Sequence, residues 1–371
     1  MLDITTRVVK YYDQGDLEHM WNSSVVKIAE RCVGQGNPCY VIAEIGSNFD
    51  GSLDRAKHLI DLSVEVGANC AKFQSFLPEK IIAKKAFEEK VSFQANWDKS
   101  VWQIYGEASF PRKWHEELAT YCKDKGIDFS SSPYDKSAVD LLVSLDVPFI
   151  KIGSGEITNL AFLQYVAQTM KPIILGTGAS TLAEVAEAVD AIRSTGNNQL
   201  ILLQCVTNYP SHFEHANIRA MKTMEHTFQC PVGYSDHTPG SIVPLVSVAL
   251  GGCVIEKHFT SDKSRRGPDH PFAMDVNDMR EMIQSIRISE NALGSPLKIL
   301  YEEERETVVI QRRSLFTTCP IGKGTRLEPD MMEALRPAVG ILPKYAPLII
   351  GKKVQRDLQE GEPITWDSVL S

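Results

Sequence analysis

A mixed α/β fold is predicted, a closed (β/α)8 barrel followed by a small second unit, and three observations predict it. From Cys39 onward, short apolar runs of strand length alternate with amphipathic helical patterns, eight times in about 250 residues. Each of those eight strands ends in polar or charged residues, and none begins with a comparable cluster. After residue 313 the helical periodicity fades and glycine and proline become frequent, which marks a change of domain.

Residues 1–38 read as an extension with a short helix near 17–21, then a hairpin from Lys27-Ile28-Ala29 to Gly34-Gln35-Gly36-Asn37 that enters the first buried strand. The barrel is expected over 39–294. Its strands fall at 39–46, 69–74, 128–133, 149–156, 172–178, 200–206, 232–237 and 253–258. Helical patterns separate most of them, at 53–65, 113–125, 137–145, 160–168, 182–193, 218–228 and 241–250, and a final helix at 276–293 completes the ring. A doubly wound open sheet would carry a glycine fingerprint after its first strand; that turn reads Gly46-Ser47-Asn48-Phe49-Asp50-Gly51 and lacks it. Residues 295–313 form a charged connector, with Glu302-Glu303-Glu304-Arg305-Glu306 as a solvated helix face. Residues 314–371 contain an internal echo: Ile321–Asp330 resembles Leu358–Asp367, each a turn, a short extended piece and a helix start. A unit that small is expected to have little core of its own and to pack on the barrel or on a partner chain.

Composition narrows the chemistry. Of 371 residues, 43% are apolar and 23% charged, so a large core needs no staple. The net charge of -8 argues against nucleic acid, and an anionic substrate would need a local cluster of lysines, hydroxyls and N–H groups. Eight cysteines without a C-x-x-C pair read as reduced, buried residues. With no apolar run of about 18 residues and no signal-like start, the expectation is a cytoplasmic protein without membrane contact.

Chemistry collects at the C-terminal ends of barrel strands. In strand order these ends carry Glu44; Lys72 and Gln74; Ser131 and Ser132; Lys151, Ser154 and Glu156; Thr177; Gln204, Thr207 and Asn208; Ser235, Asp236 and His237; Glu256 and His258. Two histidines on successive strands, with Asp236, Glu256, Glu44 and Asp269 nearby, suit a divalent metal of the Mn²⁺ or Mg²⁺ type with open water positions. His212 and His215 form a weaker rival pair. Lys72 and Lys151 among serines point to an anion, cradled by Ser132, Ser154, Thr177, Thr207 and Ser235. A Schiff-base lysine is the less favoured alternative, because a metal would already activate a carbonyl. The residues alone therefore indicate a metal-dependent barrel enzyme for a small phosphate-bearing substrate. Hydrolysis, aldol cleavage and condensation all stay open.

The motifs Val41-Ile42-Ala43-Glu44-Ile45-Gly46-Ser47-Asn48, Lys72-Phe73-Gln74, Lys151-Ile152-Gly153-Ser154-Gly155-Glu156, Tyr234-Ser235-Asp236-His237-Thr238, Glu256-Lys257-His258-Phe259-Thr260 and Gly267-Pro268-Asp269 resemble the N-acetylneuraminate (sialic acid) synthase family. The likeness runs from about residue 27 to the C-terminus, and the last residues resemble that family's antifreeze-like (SAF, β-clip) domain. It implies a TIM barrel that condenses phosphoenolpyruvate with N-acetylmannosamine or a related acylamino sugar, giving a nine-carbon 2-keto acid and phosphate. It implies metal ligands at His237 and His258, with Mn²⁺ expected and Mg²⁺ or Co²⁺ as alternatives. It implies a phosphoenolpyruvate pocket at Lys72, Ser132, Lys151, Ser154 and Ser235, and sugar and metal-water contacts at Glu44, Gln74, Asn96, Tyr209 and Asp269. Glu156 would lie beside the reacting carbons, and Tyr134, Thr177 and Thr207 join the substrate-binding candidates. Arg336 would reach the sugar's acyl group across a domain-swapped homodimer. Departures are Phe49, where the family has His; Gly176, where some members have Ser; the Thr207-Asn208 order; and Gln204, where some have His. They leave open a legionaminic or pseudaminic acid synthase, or a 9-phosphate synthase. A different phosphoenolpyruvate-condensing barrel is disfavoured by the SAF-like segment. A decayed, non-catalytic site is disfavoured by the full set of candidate residues.

Overall fold

The computed structural model describes residues 25–87 and 99–369. The expected helix at 17–21 and Asn96 lie outside the described residues. The chain divides into two compact units that meet at Gly294 and Ser295.

The first unit opens with a hairpin, β1 (Val26–Ile28) and β2 (Arg31–Val33). Eight parallel strands follow: β3 (Tyr40–Gly46), β4 (Cys70–Ser75), β5 (Asp128–Pro133), β6 (Ile150–Ile152), β7 (Ile173–Gly176), β8 (Leu200–Cys205), β9 (Val232–Asp236) and β10 (Val254–His258). Their order is β5-β4-β3-β10-β9-β8-β7-β6, so the last strand pairs with the first and the sheet curls into a barrel. The backbone ladder runs through every seam except that between β5 and β6, so the expected (β/α)8 barrel is found, closed at all seams but one. The reason is local: β6 is three residues long, not the eight of 149–156. The chain stays extended through Gly153 and then enters a single 3₁₀ turn, Ser154–Glu156. At the open seam the Ser130 hydroxyl donates to the Phe149 carbonyl, 3.0 Å away.

Helices cover the outside, and their ends are written in the sequence. Helix Leu182–Arg193 starts at Thr181, whose hydroxyl caps the N–H of Glu184 while Glu184 reaches back to Thr181. Val185, Ala188, Val189 and Ile192 then share one buried face. Asp275 and Asp278 cap Val276–Leu293 in the same reciprocal way, and the Ser52 hydroxyl caps Leu53–Glu65 by accepting from Arg55 N. The connection from β4 to β5 is longer than a simple repeat needs. It carries two helices absent from the periodicity reading, Pro78–Ile81 and Val101–Ala108.

Strand alternation sorts the core into two parts. Outward residues such as Val41, Ala43, Ala71, Phe73, Leu202 and Ile255 pack under the helices. Inward residues at the N-terminal end form an apolar floor: Tyr40, Ile42, Cys70, Phe149, Ile174, Ile201, Leu203 and Val254, closed from below by Val26, Ile28 and Val33 of the hairpin. Gly233 belongs to that layer because a Cβ there would land on the Val254 carbonyl and 2.8 Å from Leu203 Cδ2. All eight cysteines are free thiols; six are buried, while Cys32 is exposed and Cys319 half-buried. Among the described residues, no helix is long and apolar enough to cross a membrane.

The second unit begins with the exposed helix Arg305–Gln311 and an antiparallel pair, β11 (Ser314–Thr317) and β12 (Met332–Leu335). The internal echo has a structural meaning: its two copies pair with each other. Ile321 and Leu358 exchange both backbone hydrogen bonds, at 2.9 Å each. Gly324 and Gly361 occupy matching turns with φ of +88° and +75°, which a side chain rarely tolerates. Leu327 and Ile364, matching again, are both fully buried. Contrary to expectation this unit has a core, built from Leu315, Ile321, Leu327, Ile341, Ile349, Val354, Leu358, Ile364 and Val369.

Candidate active site

At the opposite end of the barrel from the floor, the same inward positions turn polar. One residue pair further along each strand, Ile42 gives way to Glu44, Cys70 to Lys72, Leu203 to Cys205 and Val254 to Glu256. They line a cavity of about 600 Å³.

Its base is a cluster of two lysines and two carboxylates, all nearly inaccessible to water. Lys72 pairs with Glu44, donates to Ser132 Oγ at 3.0 Å and lies 3.7 Å from Glu256. Lys151 lies 3.5 Å from Glu256, which also accepts from Ser235 at 3.1 Å. Gln74 donates to Glu44 at 2.7 Å. Burial pushes Glu44 up to about 7 despite Lys72. Burial pushes Glu256 up as well, but Lys151 and then Lys72 outweigh it and hold the group down at about 2. Each lysine therefore has a carboxylate neighbour at the base of the cavity. A buried ammonium needs a counter-charge, and Glu44 and Glu256 supply it. Glu256, expected beside the two histidines, lies between the two lysines, on the same face of its strand as His258.

Beside this cluster stand His237 and His258, ring centroids 5.6 Å apart. His237 Nδ1–H donates to the Val206 carbonyl at 2.8 Å, which leaves Nε2 with a lone pair. His258 Nδ1 is buried without a hydrogen-bond partner. Burial, His237 and Lys72 all press His258 well below its ordinary value, so its ring is neutral. An orphaned ring nitrogen on a neutral imidazole, with a second imidazole beside it, fits a divalent metal. Among the described residues no group of three or more His, Cys, Asp or Glu converges, so these two histidines would hold an ion with other positions left to water or substrate. Asp269 Oδ2 lies 3.9 Å from His258 Nδ1 and accepts from Ser47 N and Ser47 Oγ at 3.0 and 2.8 Å. Gly46 makes this approach possible: a Cβ would sit 2.6 Å from Asp269 Oδ2. Tyr209 packs tilted against His237 with ring centroids 4.2 Å apart, and Phe272 meets His258 edge-on at 4.9 Å.

A tight corner adjoins Lys151. Ser154 Oγ accepts from Gly178 N at 2.9 Å. A Cβ on Gly176 would lie 2.8 Å from that same Ser154 oxygen and 3.4 Å from Lys151 Nζ. The absent serine at 176 therefore removes no hydroxyl from this corner, because Ser154 already fills the space. Thr207 and Cys205 close it. Thr177 does not take part. It lies outward, where its hydroxyl donates to the Leu203 carbonyl at 2.9 Å and touches Met224. Asp236 is likewise outward and bonded to Lys257, so it is no neighbour of the metal. Both errors are errors of strand parity. Ser131 also points out, to Ser75, which donates to His115. Phe49 is buried among Phe73, Phe110 and Trp114 and leaves the cavity unchanged. His212 and His215 face each other outside the cavity.

Tyr134, Glu156, Thr207, Tyr209 and Asp269 all line the cavity, with Glu156 accepting from Asn159 at 3.1 Å. The remaining wall was not legible. Phe76, Ile81, Ile104, Tyr105 and Ala108, from the long β4–β5 connection, make it largely apolar. Arg336 lies in the second unit, directly after β12.

The NeuB family profile matches residues 59–298, and the SAF domain profile matches 312–370. The chain belongs to the NeuB family. It is accordingly an enzyme, a phosphoenolpyruvate-condensing synthase of that family, whose members generally use a divalent metal. The N,N'-diacetyllegionaminic acid synthase of Legionella pneumophila is 37% identical over 343 residues, covering 91% of this chain and 96% of that one. The N-acetylneuraminate-9-phosphate synthase of Homo sapiens is 33% identical over 344 residues, covering 91% and 95%. The crystal structure of spore coat polysaccharide biosynthesis protein spsE from Bacillus subtilis superposes with a TM-score of 0.63 at 34% identity, covering 94% and 99%.

Proposed function

We propose that this NeuB-family enzyme joins phosphoenolpyruvate to an unphosphorylated acylamino sugar, giving a nine-carbon 2-keto acid and inorganic phosphate. The acceptor we favour is a 2,4-diacetamido-2,4,6-trideoxyhexose, as for a legionaminic or pseudaminic acid synthase. One observation carries this choice. The cavity has an ionic, hydroxyl-rich base and an apolar wall, and its only lysines among the described residues, Lys72 and Lys151, lie at the base. An apolar wall suits acetyl methyl groups and a deoxy carbon and gives a sugar phosphate no counter-ion. N-acetylmannosamine, which shares the acetamido group, is the second reading. The 37% identity to a diacetyllegionaminic acid synthase supports the first.

In this reading Lys72, Lys151, Ser132, Ser154, Thr207 and Ser235 bind the phosphate and carboxylate of phosphoenolpyruvate. Glu44, Gln74, Tyr134, Tyr209 and Asp269 orient the sugar. His237 and His258 hold Mn²⁺, or Mg²⁺ or Co²⁺ in its place. The cation, when bound, supplies Lewis-acid polarisation of the open-chain aldehyde. The methylene carbon of phosphoenolpyruvate forms the new bond to the aldehyde carbon, whose oxygen takes up a proton. Water adds at the former enol carbon, and the adduct loses phosphate to leave the keto group. In this reading Glu156, which lines the cavity, accepts the water's proton. Arg336 from a swapped partner chain contacts the acyl group, and activity then falls on dilution below the dimer's dissociation constant.

The test is phosphate release from phosphoenolpyruvate and Mn²⁺ with three acceptors in parallel: the diacetamido-trideoxyhexose, N-acetylmannosamine and N-acetylmannosamine 6-phosphate. The diacetamido sugar should give the highest kcat/KM. Preference for the 6-phosphate would overturn the proposal.

A further inference from the structure

The two histidines are each one residue away from a crosslink that never touches the cavity. Asp236 and Lys257 are in register across β9 and β10. Their side chains point outward and are completely buried, with 0% and 1% exposure. Lys257 Nζ lies 2.5 Å from Asp236 Oδ2 and donates as well to the Thr238 carbonyl. Asp236 Oδ1 accepts from the Thr238 N–H and hydroxyl, both at 2.9 Å. His237 is thus the centre of a three-residue turn pinned at both ends, and the pin is a residue of the strand that carries His258.

Packing alone does not call for this arrangement. Tyr234, Ile255 and Phe259 face the same way and belong to the apolar core under the helices. A buried ion pair in such surroundings is a weak stabiliser, and apolar residues of similar size often replace one without loss. Its distinguishing effect is geometric, because it holds the ends of β9 and β10 at one separation. We infer that Asp236, Lys257 and Thr238 are positioning residues that set the spacing of His237 and His258 for the divalent cation. This rests on the proposed metal role of those histidines.

The test measures Mn²⁺ alone binding to metal-stripped full-length protein, with free ion counted by electron paramagnetic resonance and folding followed by thermal melting. His237→Ala is the control for the metal reading: if it binds Mn²⁺ as the unaltered protein does, that reading fails and this inference with it. With that control intact, the apolar double variant Asp236→Leu/Lys257→Met should melt cooperatively near the parent temperature. Its Mn²⁺ affinity should nevertheless fall roughly tenfold or more, as when groups behind metal ligands are removed. Unchanged affinity in the folded double variant would overturn the inference. Should the double variant not fold, Thr238→Val decides, since it removes one anchor of Asp236 and keeps the ion pair. A clear affinity loss there supports the positioning role, and parent affinity refutes it.

Discussion

The floor and the mouth of this barrel are built from the same strands, a residue pair apart, and they obey opposite rules. At the floor Ile42, Ile174, Ile201, Leu203 and Val254 form a buried apolar cluster, and Gly233 leaves no room for a methyl group. At the mouth the equivalent inward positions hold Glu44, Lys72, Glu256 and His258, which bring desolvation costs that their mutual pairing must offset. The difference teaches that the floor carries stability and the mouth carries chemistry, so substitutions in the two regions should separate in what they damage.

The largest separation is expected at the histidines. His237→Ala should lower kcat about a thousandfold while costing only about 1 kcal/mol of stability through the lost hydrogen bond to the Val206 carbonyl. Chelation of divalent ions should do the same to the unaltered enzyme, reversibly. Steady-state kinetics beside thermal melting checks both. Equal loss of stability and activity would break the division. Next comes Lys151→Met, which removes a charge from the cavity base. The KM for phosphoenolpyruvate should rise roughly thirtyfold, about 2 kcal/mol for a charged hydrogen bond, with little change in affinity for the sugar.

At the floor the pattern should invert. Ile42→Ala should cost about 3 kcal/mol in chemical denaturation, from lost transfer energy and the cavity left behind. Its kcat/KM at 25 °C should stay within about twofold of the parent. A large activity loss with intact folding would show that floor and mouth are coupled.

The smallest effect sharpens the comparison at a buried polar group behind the mouth. His115 lies on the outer side, donating through Nδ1 to the Arg112 carbonyl at 3.1 Å and accepting from Ser75 at 2.5 Å. Burial, then Arg112, lowers it from 6.5 to about 4. The unfolded chain therefore binds a proton first. The stability from neutral His115 is complete above about pH 6.5 and is lost as pH falls toward 4. His115→Gln should be less stable than the parent at neutral pH, and the gap should narrow by about 1–3 kcal/mol on acidification across that window. A gap independent of pH would contradict the neutral, buried imidazole.

Much of this was readable because a strand has a period of two and a barrel has a chemical end. The parity that placed Glu44, Lys72, Lys151, Ser235, Glu256 and His258 inward follows from apolar neighbours in alternate positions. The same parity puts Asp236 and Thr177 outward, next to inward Ser235 and Gly176; they joined the candidates through their residue types, against that alternation. Asp236 looked like a metal neighbour because it is acidic and adjacent to His237; its partner Lys257 is distant in sequence and revealed only by register. The apolar wall was hidden for a different reason. Phe76, Ile81, Ile104 and Tyr105 come from an irregular connection with no period to read, and their convergence is tertiary. Gly176 shows the same limit: an apparent loss of a hydroxyl becomes, in space, room for Ser154.

The central claim is condensation at the mouth, and phosphoenolpyruvate isotopically labelled at its methylene carbon tests it most directly by nuclear magnetic resonance. With Mn²⁺ and the diacetamido-trideoxyhexose, the label should move into the ring methylene of a nine-carbon keto acid, in step with phosphate release, and should not move without the sugar. Labelled pyruvate appearing at the same rate with or without the sugar would mean hydrolysis, and would contradict the account.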